Sequence, residues 1–264
     1  MNQVGQPEQV TQNRVIKLFS EELGYRYLGN YQDREGNSNI EDQPLTAYLA
    51  KYGYTPEQIA HALYALRVEA DNPNRSLYGN NEAVYNLLRY GVQVKVEAGE
   101  NTDTVHLINW ADPAANDFAI AEEVTLQGNQ TRRPDLVIYV NGIAIGVIEL
   151  KNSRVSIGEG IRQNISNQQK QFNEWFYTTV QFLFAGNDTE GLRYGAIRTP
   201  EKYYLQGKED ESDGILRKLD KYLLKMCAKE RLIELMRDFV LFDGGVKKLP
   251  RAHQYFAVKA AQQR

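Results

Sequence analysis

Three residues whose types suit metal-dependent hydrolysis lie close together in the chain. Asp135 follows Pro134, and Glu149, fourteen residues further on, is separated from Lys151 by one leucine. Two carboxylates a few ångströms apart repel each other, and a hard divalent cation such as Mg²⁺ relieves that repulsion by taking oxygen ligands. Water beside such a cation can lose a proton and attack phosphorus, while a lysine adds positive charge near the phosphate. The residue types therefore indicate phosphodiester hydrolysis, provided that folding brings them together.

A β-hairpin is the element that must position these residues. The apolar runs 136–140 and 143–148 are rich in β-branched residues and are separated only by Asn141 and Gly142, a strong hairpin signal. The second run is typical of a central strand that is buried on both faces. A charge pair at the end of such a strand usually has a partner or a function. The alternative is that all three charged residues are solvated at strand ends.

The register of this hairpin decides whether the two acids can meet. With a strict two-residue turn and regular pairing, Asp135 would lie opposite Ile148, and Glu149 would project from the other face of the sheet. A loop of odd length, or one bulge in either strand, shifts the register by one residue and brings both acids to one face. We therefore predict either a three-residue loop with Gly142 in its left-handed position or a bulge, for which Gly146 is the candidate.

These residues also carry a family resemblance. Pro134-Asp135, followed at a hairpin's distance by Glu149-x-Lys151, resembles the PD-(D/E)xK signature of restriction-endonuclease-like nucleases. Further segments, which together cover most of the chain, resemble the amino-terminal region of the restriction (R) subunit of type I restriction-modification enzymes: 11–15, 87–92, 121–125, 160–164 and 185–195. In that family the region is the DNA-cleaving domain, and an ATP-driven DNA translocase follows it. The resemblance implies an α/β restriction-endonuclease-like core, a mixed β-sheet flanked by helices, with helical additions at both ends.

The resemblance also implies roles for particular residues. Asp135, Glu149 and the Leu150 carbonyl correspond to ligands of Mg²⁺, for which Mn²⁺ can substitute, and Lys151 corresponds to the catalytic lysine. Many such nucleases add a carboxylate from an earlier helix and a glutamine from a following one. The auxiliary candidates here are Glu21 or Glu22 for the carboxylate, and Gln163 or Gln168 for the glutamine.

Charge distribution identifies candidates for DNA contacts. The net charge of −3 argues against a generally basic nucleic-acid binder. The segment between residues 128 and 175, however, contains six basic and four acidic residues, and two of those acids are the proposed metal ligands. A bound cation would leave this region locally positive. Candidate DNA-binding residues are Arg132 and Arg133, next to Asp135, and more weakly Arg154 and Arg162.

Other site types and locations have less support. One cysteine, Cys227, excludes an internal disulfide, and the three histidines show no zinc-ligand spacing. The chain contains no G-x-S-x-G and no P-loop sequence, so we expect ATP to bind only in a motor domain absent from this sequence. Segment 251–258 resembles the lead-in to the translocase, which suggests a fragment cut at a domain boundary. No apolar run has the length of a signal core or membrane span, so we expect a cytoplasmic protein.

Periodicity predicts the surrounding organisation. We divide the chain into a helical amino-terminal extension (1–91), the nuclease core (92–207), and a charged linker with a closing helix (208–264). We expect a first helix that Gly24 ends, a loop over 29–44, and a helix capped by Thr55. Strands over 92–96 and 104–110 should begin the sheet. After Lys151 we expect a helix that faces the sheet, strands over 178–185 and 193–198, and one helix over 215–241.

The function hypothesis is a metal-dependent DNA endonuclease domain, acting within a type I site-specific deoxyribonuclease. Its expected partners are double-stranded DNA and the modification and specificity subunits, with no membrane contact. One alternative is a stand-alone nuclease that acts on branched DNA or RNA. Another is a docking and regulatory module for an ATP-driven translocase, with weak or no cleavage in isolation.

Overall fold

A mixed β-sheet forms the centre of the protein. The computed structural model describes residues 8–95, 102–208 and 217–262. Their strands are β1 (Arg26–Asn30), β2 (Val92–Val94), β3 (Asp103–Val105), β4 (Phe118–Glu122), β5 (Leu136–Val140), β6 (Ile143–Leu150), β7 (Phe182–Asn187), β8 (Gly191–Gly195), β9 (Leu205–Gln206), β10 (Leu241–Asp243) and β11 (Val246–Lys248). Seven of them form one sheet in the order β1-β4-β5-β6-β7-β8-β9. The β1–β4 and β6–β7 pairs are parallel, and the other neighbours are antiparallel.

Helices cover both faces of the sheet. They are α1 (Glu8–Lys17), which continues into a π-helical turn (Leu18–Glu22), α2 (Asp42–Lys51), α3 (Pro56–Ala70), α4 (Leu77–Tyr90), α5 (Ile157–Asn167), α6 (Lys218–Met226), α7 (Lys229–Asp238) and α8 (Ala252–Gln262). This arrangement confirms the α/β class with a mixed sheet flanked by helices. None of the described helices is long and apolar enough to cross a membrane.

The central strands carry two separate apolar clusters, one on each face. Side chains such as Ile138 and Ile148 belong to the cluster that includes α1, α2 and α3. Val137 and Val147 point to the opposite face and pack with Ile161 of α5. The strand β6 is buried along its whole length, as its apolar sequence predicts. The expected helix after Lys151 is confirmed as α5, and it lies against β6 and β7.

The amino-terminal third differs from the prediction in two ways. The region 1–91 is not purely helical, because β1 joins the main sheet beside β4 within the predicted helical extension. The sequence of β1 is polar and half-exposed, so it shows no apolar alternation by which a strand could be recognised. In addition, β2 and β3 form a separate two-stranded sheet, so they do not begin the central one. Val96, the last residue of the predicted first strand, lies outside the described residues.

The carboxy-terminal part is also subdivided more finely than predicted. The expected helix 215–241 is two helices, α6 and α7, interrupted at Cys227 and Ala228. The predicted strand 178–185 starts only at Phe182, because residues 174–178 form a 3₁₀ turn. The predicted strand 193–198 is β8, which ends at Gly195. A hairpin of β10 and β11 follows α7 and was not predicted. Most of the predicted linker, 209–216, lies outside the described residues.

Candidate active site

The hairpin of β5 and β6 contains the predicted change of register. Asn141 and Gly142 form a two-residue turn with φ of 52° and 82°, as a type I′ turn requires, so the three-residue loop is wrong. Val140 pairs with Ile143 and Tyr139 with Ala144, but Ile138 pairs with Gly146. Ile145 is therefore the extra residue of a β-bulge. The alternative prediction of a bulge beside Gly146 is confirmed.

The bulge brings the two acids onto one face of the sheet. Beyond it, Leu136 pairs with Ile148, so the next step along the ladder places Asp135 opposite Glu149. Gly146 permits the close crossing of the strands, because a Cβ at this position would lie 3.1 Å from Cδ1 of Ile138. Gly146 thus contributes to the site indirectly, because it permits the bulge that sets the register of Asp135 and Glu149.

Asp135 is almost completely buried beside its own hairpin. Its Oδ2 accepts a hydrogen bond from the backbone N–H of Leu150 at 2.6 Å. Burial raises the pKa of Asp135 to about 6, against the opposing effects of the Lys151 charge and of this hydrogen bond. The carboxylate is therefore held in place while its charged form is disfavoured.

Glu149 lies deeper than Asp135 and has no exposed surface. Burial first, and then the negative charge of Asp135, raise the pKa of Glu149 well above its ordinary value. The side-chain amide of Asn167, at the end of α5, donates to Oε1 of Glu149 at 3.3 Å. Within the described part of the chain, Oε2 has no hydrogen-bond partner. Two buried carboxylates that oppose each other's ionisation, one with a free oxygen, form a pair that a divalent cation would stabilise.

Lys151 follows β6 directly and points toward the same acids. Its ammonium donates to Oε1 of Glu8, the first described residue of α1, at 3.1 Å. Burial opposes the charged form, but the carboxylates of Asp135, Glu149 and Glu8 together outweigh burial and raise the pKa of Lys151. Lys151 is therefore a positively charged hydrogen-bond donor at neutral pH.

A cleft of about 470 Å³ opens onto this group. Asp135 and Lys151 form part of its wall, and the other lining residues are Glu8, Glu123, Thr125, Thr131, Arg132, Arg133 and Gln163. Arg132 stacks on the ring of Phe172 at 3.9 Å, and Nε of Arg133 pairs with Glu123 at 2.6 Å. The cleft therefore combines the acid pair with cations that are held in place by neighbouring side chains.

Comparisons with known proteins identify the family of this chain. The family model described as "Type I restriction enzyme R protein N terminus" matches residues 5–202. The chain belongs to this family. It is 25% identical over 289 residues to the "Putative type I restriction enzyme MjaIXP endonuclease subunit" of Methanocaldococcus jannaschii, covering 97% of this chain and 27% of that protein. It is 27% identical over 204 residues to the "Type I restriction enzyme HindI endonuclease subunit" of Haemophilus influenzae, covering 69% of this chain and 19% of that protein. The chain thus spans about a quarter or less of the length of these endonuclease-subunit relatives.

The fold does not bring the two candidate auxiliary carboxylates to the acid pair. Glu21 and Glu22 are exposed in the π-helical turn that follows α1. At 1.5 Å per helical residue, Glu22 lies about 20 Å along the helix from Glu8, too far to share the site. Glu8 is the acid that the structure brings to Lys151, and we missed it. Its only sequence signal is its place in the first turn of a helix, where acidic residues are common for a different reason, the helix dipole.

The two candidate glutamines separate clearly. Gln163 of α5 lines the cleft. Gln168 does not, because its side chain donates to the Asn164 carbonyl and accepts from the Arg198 N–H, both at 2.7 Å. The bond to Arg198 ties the end of α5 to the segment after β8, so Gln168 has a structural role.

The outer arginines lie away from the cleft lining. Arg162 pairs with Glu201 at 2.7 Å, and Arg154 is exposed in the turn after Lys151. Any contact of these two residues with DNA would thus occur outside the cleft. Among the candidate cations, Arg132 and Arg133 are the ones that the fold places beside the acid pair.

The oxygen atoms around Asp135 and Glu149 can be tested for their fit to a magnesium ion. No group of three or more His, Cys, Asp or Glu side chains suited to a metal occurs among the described residues. Magnesium usually keeps several waters and binds through one or two carboxylates, so it does not require such a group. Asp135, Glu149 and the Leu150 carbonyl supply oxygen donors only, and the unpaired Oε2 of Glu149 is available. The residues therefore fit Mg²⁺ and not a zinc site.

Proposed function

We propose that this chain is the DNA-cleaving domain of a type I restriction enzyme R subunit, and that it hydrolyses phosphodiester bonds with Mg²⁺ as cofactor. One observation carries the proposal. The bulge in the β5–β6 hairpin places Asp135 opposite Glu149 on one face, with Lys151 at the end of the same strand. A restriction-endonuclease-like core and the R-subunit family membership support the same reaction.

Each residue of the site has a distinct role. Asp135, Glu149 and the Leu150 carbonyl would hold the Mg²⁺ ion, and Mn²⁺ can substitute because it accepts the same oxygen ligands. When bound, the ion lowers the pKa of a coordinated water and stabilises charge on phosphate oxygens. Lys151 is protonated and therefore serves as a donor to a phosphate oxygen or to the attacking water. It must exchange its present bond with Glu8 to do so.

The cleft walls provide the contacts for double-stranded DNA. Arg132 and Arg133 would bind phosphates on either side of the bond that is cleaved, and Gln163 would contact the backbone from α5. Arg154 and Arg162 would act further along the duplex. None of these residues reads base identity in this proposal. We assign sequence recognition to a specificity subunit of the same complex, methylation to its modification subunit, and ATP hydrolysis to a translocase region outside this sequence.

The decisive experiment separates cleavage from the motor. In a full-length R subunit assembled with its partner subunits, D135A should abolish DNA cleavage and leave ATP hydrolysis unchanged. Asp117, which forms an exposed ion pair with Arg26 at 2.5 Å, offers the matched control, and D117A should keep both activities.

Isothermal titration of the present chain with Mg²⁺ provides an independent measurement. Binding should be lost in D135A and kept in D117A. Intact cleavage by D135A would refute the assignment of the site. A docking and regulatory role would be favoured by two results together. The wild-type chain would bind no Mg²⁺, and the domain would still regulate ATP hydrolysis in the assembled enzyme.

A further inference from the structure

The turn that joins β7 to β8 lies beside the end of β6. Gly186 of β7 pairs with the last residue of β6, and its carbonyl accepts a hydrogen bond from the N–H of Lys151 at 2.9 Å. The β7–β8 turn (187–190) follows Gly186 directly, just as the loop 152–156 follows Lys151. The two strands are parallel, so they bring this turn next to the loop that joins Lys151 to α5.

Asn187 connects the turn to that loop. This residue is 1% exposed, and both the nitrogen and the oxygen of its side-chain amide are hydrogen-bonded. Its Nδ2 donates to the Val155 carbonyl at 2.8 Å and to Oε1 of Glu190 at 3.2 Å. Its Oδ1 accepts a hydrogen bond from the Glu190 N–H at 2.6 Å. A buried amide with these partners has one orientation, so it fixes the separation of the turn and the loop.

Glu190 connects the same turn to the beginning of α5. Its Oε1 accepts a hydrogen bond from the N–H of Ile157, the first residue of α5, at 2.8 Å. The first N–H groups of a helix have no partner within the helix, and a carboxylate placed there also interacts favourably with the helix dipole. Thr189 adds a bond from its Oγ1 to the Ser153 carbonyl at 3.1 Å. The turn therefore holds the segment 153–157 at three alternate residues.

The turn is itself fixed by helices on its other side. Asp188 pairs with Arg14 of α1, which also pairs with Asp220 of α6. Gly191, which follows the turn with φ of 90°, packs against α6 so closely that a Cβ there would lie 2.9 Å from the ring of Tyr222. Contacts with two helices make the turn a rigid support for the loop beside it.

We propose that Asn187 and Glu190 are positioning residues for Lys151, because they fix the loop 152–156 and thereby keep the lysine at one place beside the acid pair. This inference rests on the proposed function of Lys151 as a donor to a phosphate oxygen or to the attacking water. Both residues act through the loop, and other residues line the cleft. A displacement of about 1 Å in a reacting group can reduce the rate about 100-fold, so a loose loop would be costly.

Substitutions of Glu190 test the proposal in the assembled full-length enzyme. Glu190 is exposed, so it can be changed without opening the core. E190A removes the acceptor for Ile157, whereas E190Q keeps a side-chain oxygen. E190A should lower the single-turnover cleavage rate about 10–100-fold, and E190Q should keep most of the wild-type rate. The dissociation constant for DNA should stay within about threefold, because Arg132 and Arg133 are held by residues outside the turn.

Two further variants complete the set. N187A removes the connection to Val155 and should lower the cleavage rate in the same way as E190A. Glu69 offers the matched control, because it is a glutamate of α3 that forms an ion pair with Arg75 near the surface. E69A should cleave DNA at the wild-type rate.

Hydrogen exchange of the present chain, without metal or DNA, shows whether the loop acts on Lys151. The Lys151 N–H is bonded to Gly186 and not to either substituted residue, so a purely local loss at Ile157 would not change its exchange. In E190A and N187A the Lys151 amide should exchange about tenfold faster than in the wild type. E190Q and E69A should leave its exchange unchanged.

The outcomes separate the positioning role from the proposed function. Wild-type cleavage by both E190A and N187A, or an unchanged Lys151 amide in both, would overturn the inference. An equal loss of cleavage in E190Q and E190A would also overturn it, since the charge of Glu190 and not its hydrogen bond would then be required. If the Lys151 amide exchanged faster in E190A but K151M cleaved DNA at the wild-type rate, the positioning role would stand and the proposed role of Lys151 would be refuted.

Discussion

Two hairpins of this protein have the same kind of two-residue turn but differ in the register of the strands that follow it. Asn141 and Gly142 join β5 to β6 with φ of 52° and 82°, and Gly244 and Gly245 join β10 to β11 with φ of 57° and 81°. The β10–β11 ladder is regular from Leu241 opposite Lys248 to Asp243 opposite Val246. The β5–β6 ladder is bulged. The turn type therefore does not decide which side chains meet; the register after the turn does.

Each hairpin also delivers a lysine into the interior, and the two lysines differ in the oxygens around them. Lys247 of β11 is 3% exposed and donates to Oδ1 of Asn81 at 2.7 Å and to Oε1 of Gln181 at 2.5 Å. These oxygens belong to neutral amides, so burial lowers the pKa of Lys247 well below its ordinary value. Lys151 faces carboxylates, which keep it charged. The comparison indicates a structural lysine in one hairpin and a charged lysine in the other, to which the proposed function assigns the catalytic role.

The largest expected difference between the two lysines is in DNA cleavage. K151M should reduce the single-turnover cleavage rate of the assembled full-length enzyme by about 10³-fold or more, because a donor to developing phosphate charge is lost. K247M should stay within about twofold of wild type below its own melting temperature, since Lys247 is remote from the reacting groups. Circular dichroism would verify that K247M is folded. If folded K247M lost as much cleavage as K151M, the two lysines would not differ in the way proposed.

For the free energy of unfolding, we expect Lys247 to matter more than it does for cleavage. K247M leaves the Asn81 and Gln181 oxygens buried without a donor, so the free energy of unfolding should fall by about 2–4 kcal/mol. K248M removes only the exposed neighbour that pairs with Asp243, and its free energy of unfolding should be close to that of the wild type. Urea denaturation of the present chain measures both values. A K247M chain as stable as K248M would show that Lys247 does not tie β11 to the core.

The buried charge of Asp135 should lower the free energy of unfolding at neutral pH. Asp135 has a folded-state pKa of about 6 against an ordinary 3.8, so the folded state holds its proton to higher pH than the unfolded state. The native state therefore loses stability as the pH rises from about 4 to about 7. D135N keeps an oxygen acceptor for Leu150 and should be more stable than wild type by about 1–3 kcal/mol at pH 7.5. Equal stabilities of the two chains across this pH range would contradict the raised pKa.

The turn itself should give the smallest effect. G244N introduces at the first turn position of β10–β11 the residue that β5–β6 already has, and asparagine tolerates positive φ. The free energy of unfolding should change by less than about 0.5 kcal/mol, whereas G244V should cost about 1–2 kcal/mol from backbone strain. Apart from Gly244 and its two chain neighbours, no heavy atom of the described residues lies within 4 Å of a Cβ built on Gly244, so these values reflect conformation and not packing. Thermal melts of both variants measure the difference.

Sequence reasoning located the central hairpin because its signals are local. Asn141-Gly142 marks the turn, the apolar run of β6 marks a central strand, and Gly146 allows the bulge that parity requires. The same local reasoning predicted α5 from the spacing of Ile157 and Ile161. It failed for β1, because an edge strand that is half-exposed needs no apolar alternation and draws its hydrogen bonds from a partner far along the chain.

The sequence by itself determined the types of the three central site residues and the rule that their strands must be out of regular register. Periodicity and turn chemistry act over a few residues, so they are readable without the fold. Only the tertiary structure decided that Glu8 reaches Lys151, that Gln168 is used structurally, and that Asn167 donates to Glu149. Those contacts join segments that are distant in the chain, and their geometry depends on how helices pack on the sheet, which no local pattern records.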